Sequence, residues 1–90
     1  MVDIEKQKFV CIDCETTGLD AQQDRIIEVA VMCFDANQVY AQMETLINPE
    51  CVIPETSIAI HHITPEMVKD KPTIAQVLPE ILQLIGNHII

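Results

Sequence analysis

Two carboxylates stand one residue apart in Phe9-Val10-Cys11-Ile12-Asp13-Cys14-Glu15-Thr16-Thr17-Gly18-Leu19, an apolar run that breaks on a Thr-Thr-Gly turn. Side chains of a strand alternate between faces, so Asp13 and Glu15 point one way while Ile12 and Cys14 enter the opposite layer. An ionised carboxylate at the end of a hydrophobic strand is unfavourable unless a cation or hydrogen-bond donors compensate it. Two hard oxygen ligands side by side suit Mg²⁺ or Mn²⁺. Paired divalent ions lower the pKa of a bound water and stabilise both the attacking and the leaving oxygen of a phosphodiester. The chemistry expected at Asp13 and Glu15 is therefore metal-assisted phosphodiester cleavage.

The elements that must carry these groups can be read from periodicity and turn residues. Residues 8–14 read as a first strand and 25–34 as a second, with Ile27, Val29, Val31 and Cys33 on one face. Asp35-Ala36-Asn37-Gln38 reads as a hairpin turn into a third strand over 39–47, giving an antiparallel meander. A loop punctuated by Pro49 and Pro54 follows, and residues 57–62 form a short helical or extended piece. Thr64-Pro65-Glu66-Met67 has the order of a helix start, with Thr as N-cap and Pro at the first helical position. Residues 73–84 give the clearest amphipathic helix, with Ile74, Val77, Leu78, Ile81, Leu82 and Ile85 in one apolar stripe. Pro79 inside that window should kink the helix or orphan the carbonyl of Ala75. Gly86-Asn87 stops it, and His88-Ile89-Ile90 reads as the first residues of a fourth strand.

Ninety residues make one small domain, and 49% hydrophobic content with only two glycines marks a packed chain. Phe9, Phe34 and Tyr40 are its aromatics, too few to build a base-stacking platform. Five basic against fourteen acidic residues give a net charge of −9, which argues against an extended nucleic-acid groove built on phosphate neutralisation. Metal ions can supply the missing positive charge at a short grip on one strand end. No apolar stretch approaches the roughly 20 residues that cross a bilayer, and the first residues do not read as a leader. A cytoplasmic location is expected, with Cys11, Cys14, Cys33 and Cys51 as reduced thiols.

Taken with Asp24-Arg25-Ile26-Ile27-Glu28-Val29-Ala30 and Ile60-His61-His62-Ile63-Thr64, the Asp13–Glu15 block resembles the amino-terminal half of DnaQ-like 3′-5′ exonucleases, the family of the proofreading epsilon subunit of DNA polymerase III. The resemblance implies an α/β, ribonuclease-H-like fold truncated to a three-stranded antiparallel meander with one or two helices. It also implies catalysis by a two-metal site of four acids and a histidine, of which Asp13 and Glu15 are the first two acids and metal ligands. A DNA 3′ end would be the substrate and a polymerase subunit the partner. Residues Thr16, Thr17, Gly18 and Leu19 would line the terminal-nucleotide pocket, with Leu19 against the base. By the same resemblance His61 borders the nucleotide, and Glu55 lies where some relatives contact its sugar. His62 occupies a position that is Gly in the family.

The resemblance covers about half of such a catalytic domain. The family's third acid, fourth acid and histidine base belong to later segments, and Asp35, Glu66 and Asp70 sit in no similar motif. The chain alone is therefore expected to be inactive, with weak metal binding. The first strand should present an open apolar edge, leading to a homodimer, strand exchange or aggregation through residues 9–12 and 89–90. The related oligoribonucleases share the acidic blocks, but Thr16-Thr17 and His61 favour the DNA branch. The remaining alternative is a non-catalytic interaction fragment with the same partial fold.

Other readings of these residues are simpler. The Thr-Thr-Gly segment can be a strand-ending turn in which Gly18 supplies a positive φ. Glu28 can support the sheet or pair with Arg25. Cys11 and Cys14 have the spacing of a zinc or redox pair, but in a strand they point to opposite faces, and Asp13 between them should raise the thiol pKa.

Overall fold

A computed structural model describes residues 4–20, 22–86 and 88–90. Asn87, expected to share the helix stop with Gly86, lies outside the described residues, as do residues 1–3 of the segment read as unlike a leader. After a 3-10 turn at Ile4–Lys6, three strands follow, β1 (Phe9–Thr16), β2 (Ile26–Phe34) and β3 (Val39–Leu46). Three helices then close the order, α1 (Glu55–His61), α2 (Pro65–Val68) and α3 (Ile74–Ile85). The strands form one antiparallel sheet in the order β1-β2-β3. This is the expected meander.

The hairpin turn forms because the Asp35 carboxylate accepts the N–H groups of Asn37 and Gln38, at 2.8 and 2.9 Å. Alternation along β2 does the rest. Val29, Val31 and Cys33 are buried with Val10 and Ile47 beneath Val77 and Ile81 of α3. Fully burying aliphatic side chains of this size stabilises by about 1.5–3 kcal/mol each, which is what holds a helix on so small a sheet. A second cluster of Ile27, Ile53, Ile63 and Val68 anchors the loops and α1–α2 to the other end.

Several boundaries differ from expectation. β1 continues through Glu15 and Thr16, because outward-facing carboxylates do not interrupt a ladder whose inward positions still pair, down to Glu15↔Glu28 and Thr16↔Ile26. β2 starts at Ile26 and β3 ends at Leu46, each one residue inside the expected limits. α3 runs unbroken over Pro79, since its exposed position and sheet packing at Val77 and Ile81 outweigh one missing helical bond. Its apolar stripe is wider than the sheet beneath it, so Leu78 and Leu82 remain exposed. His88-Ile89-Ile90 does begin a strand: Ile89 bridges Phe9 in parallel, its N–H donating to Lys8 O and its O accepting from Val10, both at 2.8 Å. Beyond Val10 that edge of β1 is unpaired among the described residues.

Candidate active site

The β1 pleat turns Asp13 and Glu15 to one face, away from α3, and the ladder brings more acid to them. Glu15 lies opposite Glu28 on β2, and Asp13 lies opposite Ala30, whose partner on β3 is Glu44. The four carboxylates thus share one sheet face with only the small Ala30 between Asp13 and Glu44. The electrostatic consequence falls on Glu28. Its carboxyl is pushed above the usual range, first by desolvation and then by Glu44, Glu15 and Asp13, with His61 opposing. Glu28 therefore faces Glu15 and not Arg25, and stands against the acidic pair instead of only supporting the sheet.

Beside Glu15 opens a cleft of about 310 Å³ lined by Glu15, Thr16, Gly18, Leu19, Thr56, Ser57, Ile60 and His61. Five of the eight residues expected at the site meet there. The Leu19 side chain is fully exposed and Ile60 is 79% exposed, so two unpartnered apolar groups flank the opening. The N–H of Ile63 donates to His61 Nδ1 at 3.0 Å, which leaves the proton of the neutral ring on Nε2. Among the described residues that buried Nε2 has no partner.

The other expected residues stand elsewhere. Thr17 is buried at 2% exposure beneath the cleft. Its hydroxyl donates to Asp24 Oδ1 and accepts from Arg25 N–H, both at 2.9 Å. Asp13 looks across Ala30 into a neighbouring hollow of about 420 Å³ that Cys11, Met32, Gln42 and Glu44 also line. Glu55 opens α1 and is outside the cleft lining. Gly18 has no positive φ, contrary to the simple-turn reading. A Cβ there would meet Asp24 Oδ2 at 2.5 Å, so a side chain at this position would require the hydrogen-bonded Asp24 carboxylate to move. His62 takes the left-handed conformation at φ 61° as the C-cap of α1, so the shape that glycine would favour is kept without it.

Sequence reasoning missed Ile60, Thr56, Ser57, Glu44 and Asp24. Ile60 and Ser57 were legible as neighbours of His61 on a short helix, whereas Glu44 needed the β2–β3 register. Ser57 fastens α1 to the turn by donating its hydroxyl to Thr17 O.

The donor chemistry suits a hard divalent ion: desolvation and then the neighbouring carboxylates raise Glu28, and a cation would relieve the repulsive part. Among the described residues no three His, Cys, Asp or Glu side chains converge as a ready cage. Asp13 and Glu15 would therefore offer such an ion two ligands rather than a complete set. The zinc alternative has no such fit, because Cys11 and Cys14 fall on opposite faces of β1. Desolvation, and then Asp13, push the Cys14 thiol up, which disfavours a thiolate.

The fold therefore sets an acid pair on the outer face of the β1-β2-β3 meander, with the cleft opening beside Glu15. The chain belongs to the RNase T exonuclease family, whose exonuclease model matches residues 10–90. It is 43% identical over 86 residues to the PolC-type DNA polymerase III of Thermotoga petrophila, covering 96% of this chain and 6% of that protein. It is 36% identical over 86 residues to the DNA polymerase III subunit epsilon of Treponema pallidum, covering 96% of this chain and 40% of the relative. Exonuclease X in complex with 5′ overhanging duplex DNA superposes with a TM-score of 0.72 at 36% identity, over 81% of this chain and 42% of that one. Exonuclease I of E. coli shares the fold at a TM-score of 0.77 and 22% identity, over 89% and 18%. The fold is thus the ribonuclease-H-like exonuclease fold in part, and the chain spans less than half the length of these relatives.

Proposed function

We propose that this chain carries the first two metal ligands and the terminal-nucleotide cleft of a 3′-5′ exonuclease of the DNA polymerase III epsilon type, which releases nucleoside monophosphates from DNA. The observation that carries the reading is that Glu15, which shares a strand face with Asp13, lines a cleft flanked by exposed Leu19 and Ile60. Two Mg²⁺ or Mn²⁺ ions would supply a water of lowered pKa and charge neutralisation at the phosphodiester. Asp13 and Glu15 hold them, Leu19 and Ile60 bracket the terminal base, and His61 Nε2–H donates to an oxygen of the nucleotide. Thr16 and Gly18 form the wall on which the sugar rests. Thr17 supports that wall from below, and Glu55 contributes through the start of α1. The relatives' DNA complex and polymerase assignments support DNA as substrate and a polymerase subunit as partner; a DNA 3′ end and a cytoplasmic location belong to the same reading. Among the described residues no helix is long and apolar enough to cross a membrane.

These 90 residues by themselves are inactive in this reading, because two carboxylates leave most coordination positions to water and the family's further acid and histidine motifs are not among them. The open edge of β1 and the exposed Ile12, Ile89 and Ile90 favour self-association by strand pairing. Calorimetric titration with Mn²⁺, run beside an Asp13→Ala variant and an exonuclease assay, tests the proposal. Weak binding abolished by the substitution, without hydrolysis, is expected. No Mn²⁺ binding would leave only a structural fragment, and hydrolysis by the unsupplemented chain would overturn the claim of inactivity.

A further inference from the structure

We infer that Asp24, which lines neither hollow, is the positioning residue that shapes the nucleotide-receiving turn; the inference rests on the nucleotide reading of the cleft. Its carboxylate is committed on both oxygens. Oδ1 accepts the Thr17 hydroxyl at 2.9 Å and Oδ2 accepts the Asp20 N–H at 2.8 Å. The Asp24 N–H in turn donates to Asp20 O at 2.8 Å. The carboxylate therefore closes the loop between the end of β1 and the start of β2 on itself.

The same carboxylate fills the space under Gly18, where a Cβ would come within 2.5 Å of Oδ2. Thr17 transmits the hold: its hydroxyl also accepts Arg25 N–H, its N–H donates to Arg25 O at 2.8 Å, and its carbonyl accepts from Ser57. Thr16 completes the turn by donating to Gly18 O at 2.6 Å. Every inward polar group of the turn that these bonds reach is satisfied, so the turn presents Thr16, Gly18 and the bare Leu19 side chain to the cleft in one arrangement. Preorganisation of that kind raises affinity for what the turn contacts and leaves a metal on Asp13 and Glu15 unaffected. The prediction is a split between two ligands of one site.

The test uses the whole chain, with dTMP titrated at saturating Mg²⁺ and Mg²⁺ titrated alone. Asp24→Ala should weaken dTMP binding about tenfold, the loss of a charge-assisted hydrogen-bond pair, while Mg²⁺ affinity stays within about twofold. Thr17→Val should behave like Asp24→Ala, and Thr17→Ser, which keeps the hydroxyl, should retain wild-type affinity. Gly18→Ala should weaken dTMP binding in the wild-type background and add nothing in Asp24→Ala, where the obstructing carboxylate is gone. Unchanged dTMP affinity in Asp24→Ala, or dTMP and Mg²⁺ affinities falling together, overturns the positioning role. If the wild-type chain binds no dTMP, the nucleotide reading fails. Hydrogen exchange at the Asp20 amide then decides the clamp by itself, since it must accelerate in Asp24→Ala if the carboxylate holds the turn.

Discussion

Replacing Glu28 by glutamine tests whether the acidic face is repulsive in the way its geometry requires. Glu28 sits directly opposite Glu15, with Asp13 and Glu44 on the same face, and its carboxyl is held above the ordinary value of 4.5 by desolvation and then by those three carboxylates. A folded-state pKa raised above the unfolded one means that the fold favours the protonated form. The stability tied to this group is therefore fully present below the unfolded value and lost as pH rises through the folded one. Glutamine keeps the volume and removes the charge. Like charges facing each other across strands cost about 0.2–1 kcal/mol, so Glu28→Gln should stabilise by about 0.5 kcal/mol at pH 7. In a domain of this size that is a rise of about 2–4 °C in Tm. Thermal unfolding followed by circular dichroism should show the gap at pH 7 and its disappearance by pH 4, where wild-type Glu28 is itself protonated. Millimolar Mg²⁺ should narrow the gap at pH 7 by stabilising the wild type more. A variant less stable than wild type at pH 7, or a gap of equal size at both pH values, would refute the reasoning.

Four further outcomes are expected. Ile60→Ala should weaken Mg²⁺-dependent dTMP binding about fivefold with little change in Tm, because the side chain is exposed and contributes only on contact with a base. Pro79→Ala restores the helical donor to Ala75 at an exposed position of α3 and should raise stability by about 1–3 kcal/mol in urea denaturation. His62→Gly relieves a left-handed residue at the end of α1 and should gain about 0.5–1 kcal/mol by the same measurement. Ile12→Lys puts a charge on the open edge of β1 and should shift sedimentation toward monomer; unchanged association would show that the edge is not the contact.

Much of the site was legible because its grammar is local. The pleat alone puts Asp13 and Glu15 on one side, and the Asp35 turn makes β2 and β3 antiparallel neighbours. The buried run of Ile27, Val29, Val31 and Cys33 follows from alternation. What escaped depends on groups distant in the chain. Nothing near Gly18 announces Asp24, because the carboxylate reaches it only after the loop folds back. Gly18 therefore reads as a positive-φ glycine when it is a crowded one. Leu78 and Leu82 look like core in the helical stripe, yet the sheet is too narrow to cover them.

The sequence by itself determined the strand and helix order, the outward acid pair, the residues of the turn and the family likeness. These depend on period, on turn chemistry and on contiguous motifs. The tertiary structure alone decided which acids join them. The register shift between Cys33 and Phe34 moves the β2–β3 pairing by one residue, so Glu44, and not Met43, stands opposite Ala30 and across from Asp13. A one-residue slip reverses every side chain of a strand, and the bulge that sets it is a balance of core packing that no local pattern records.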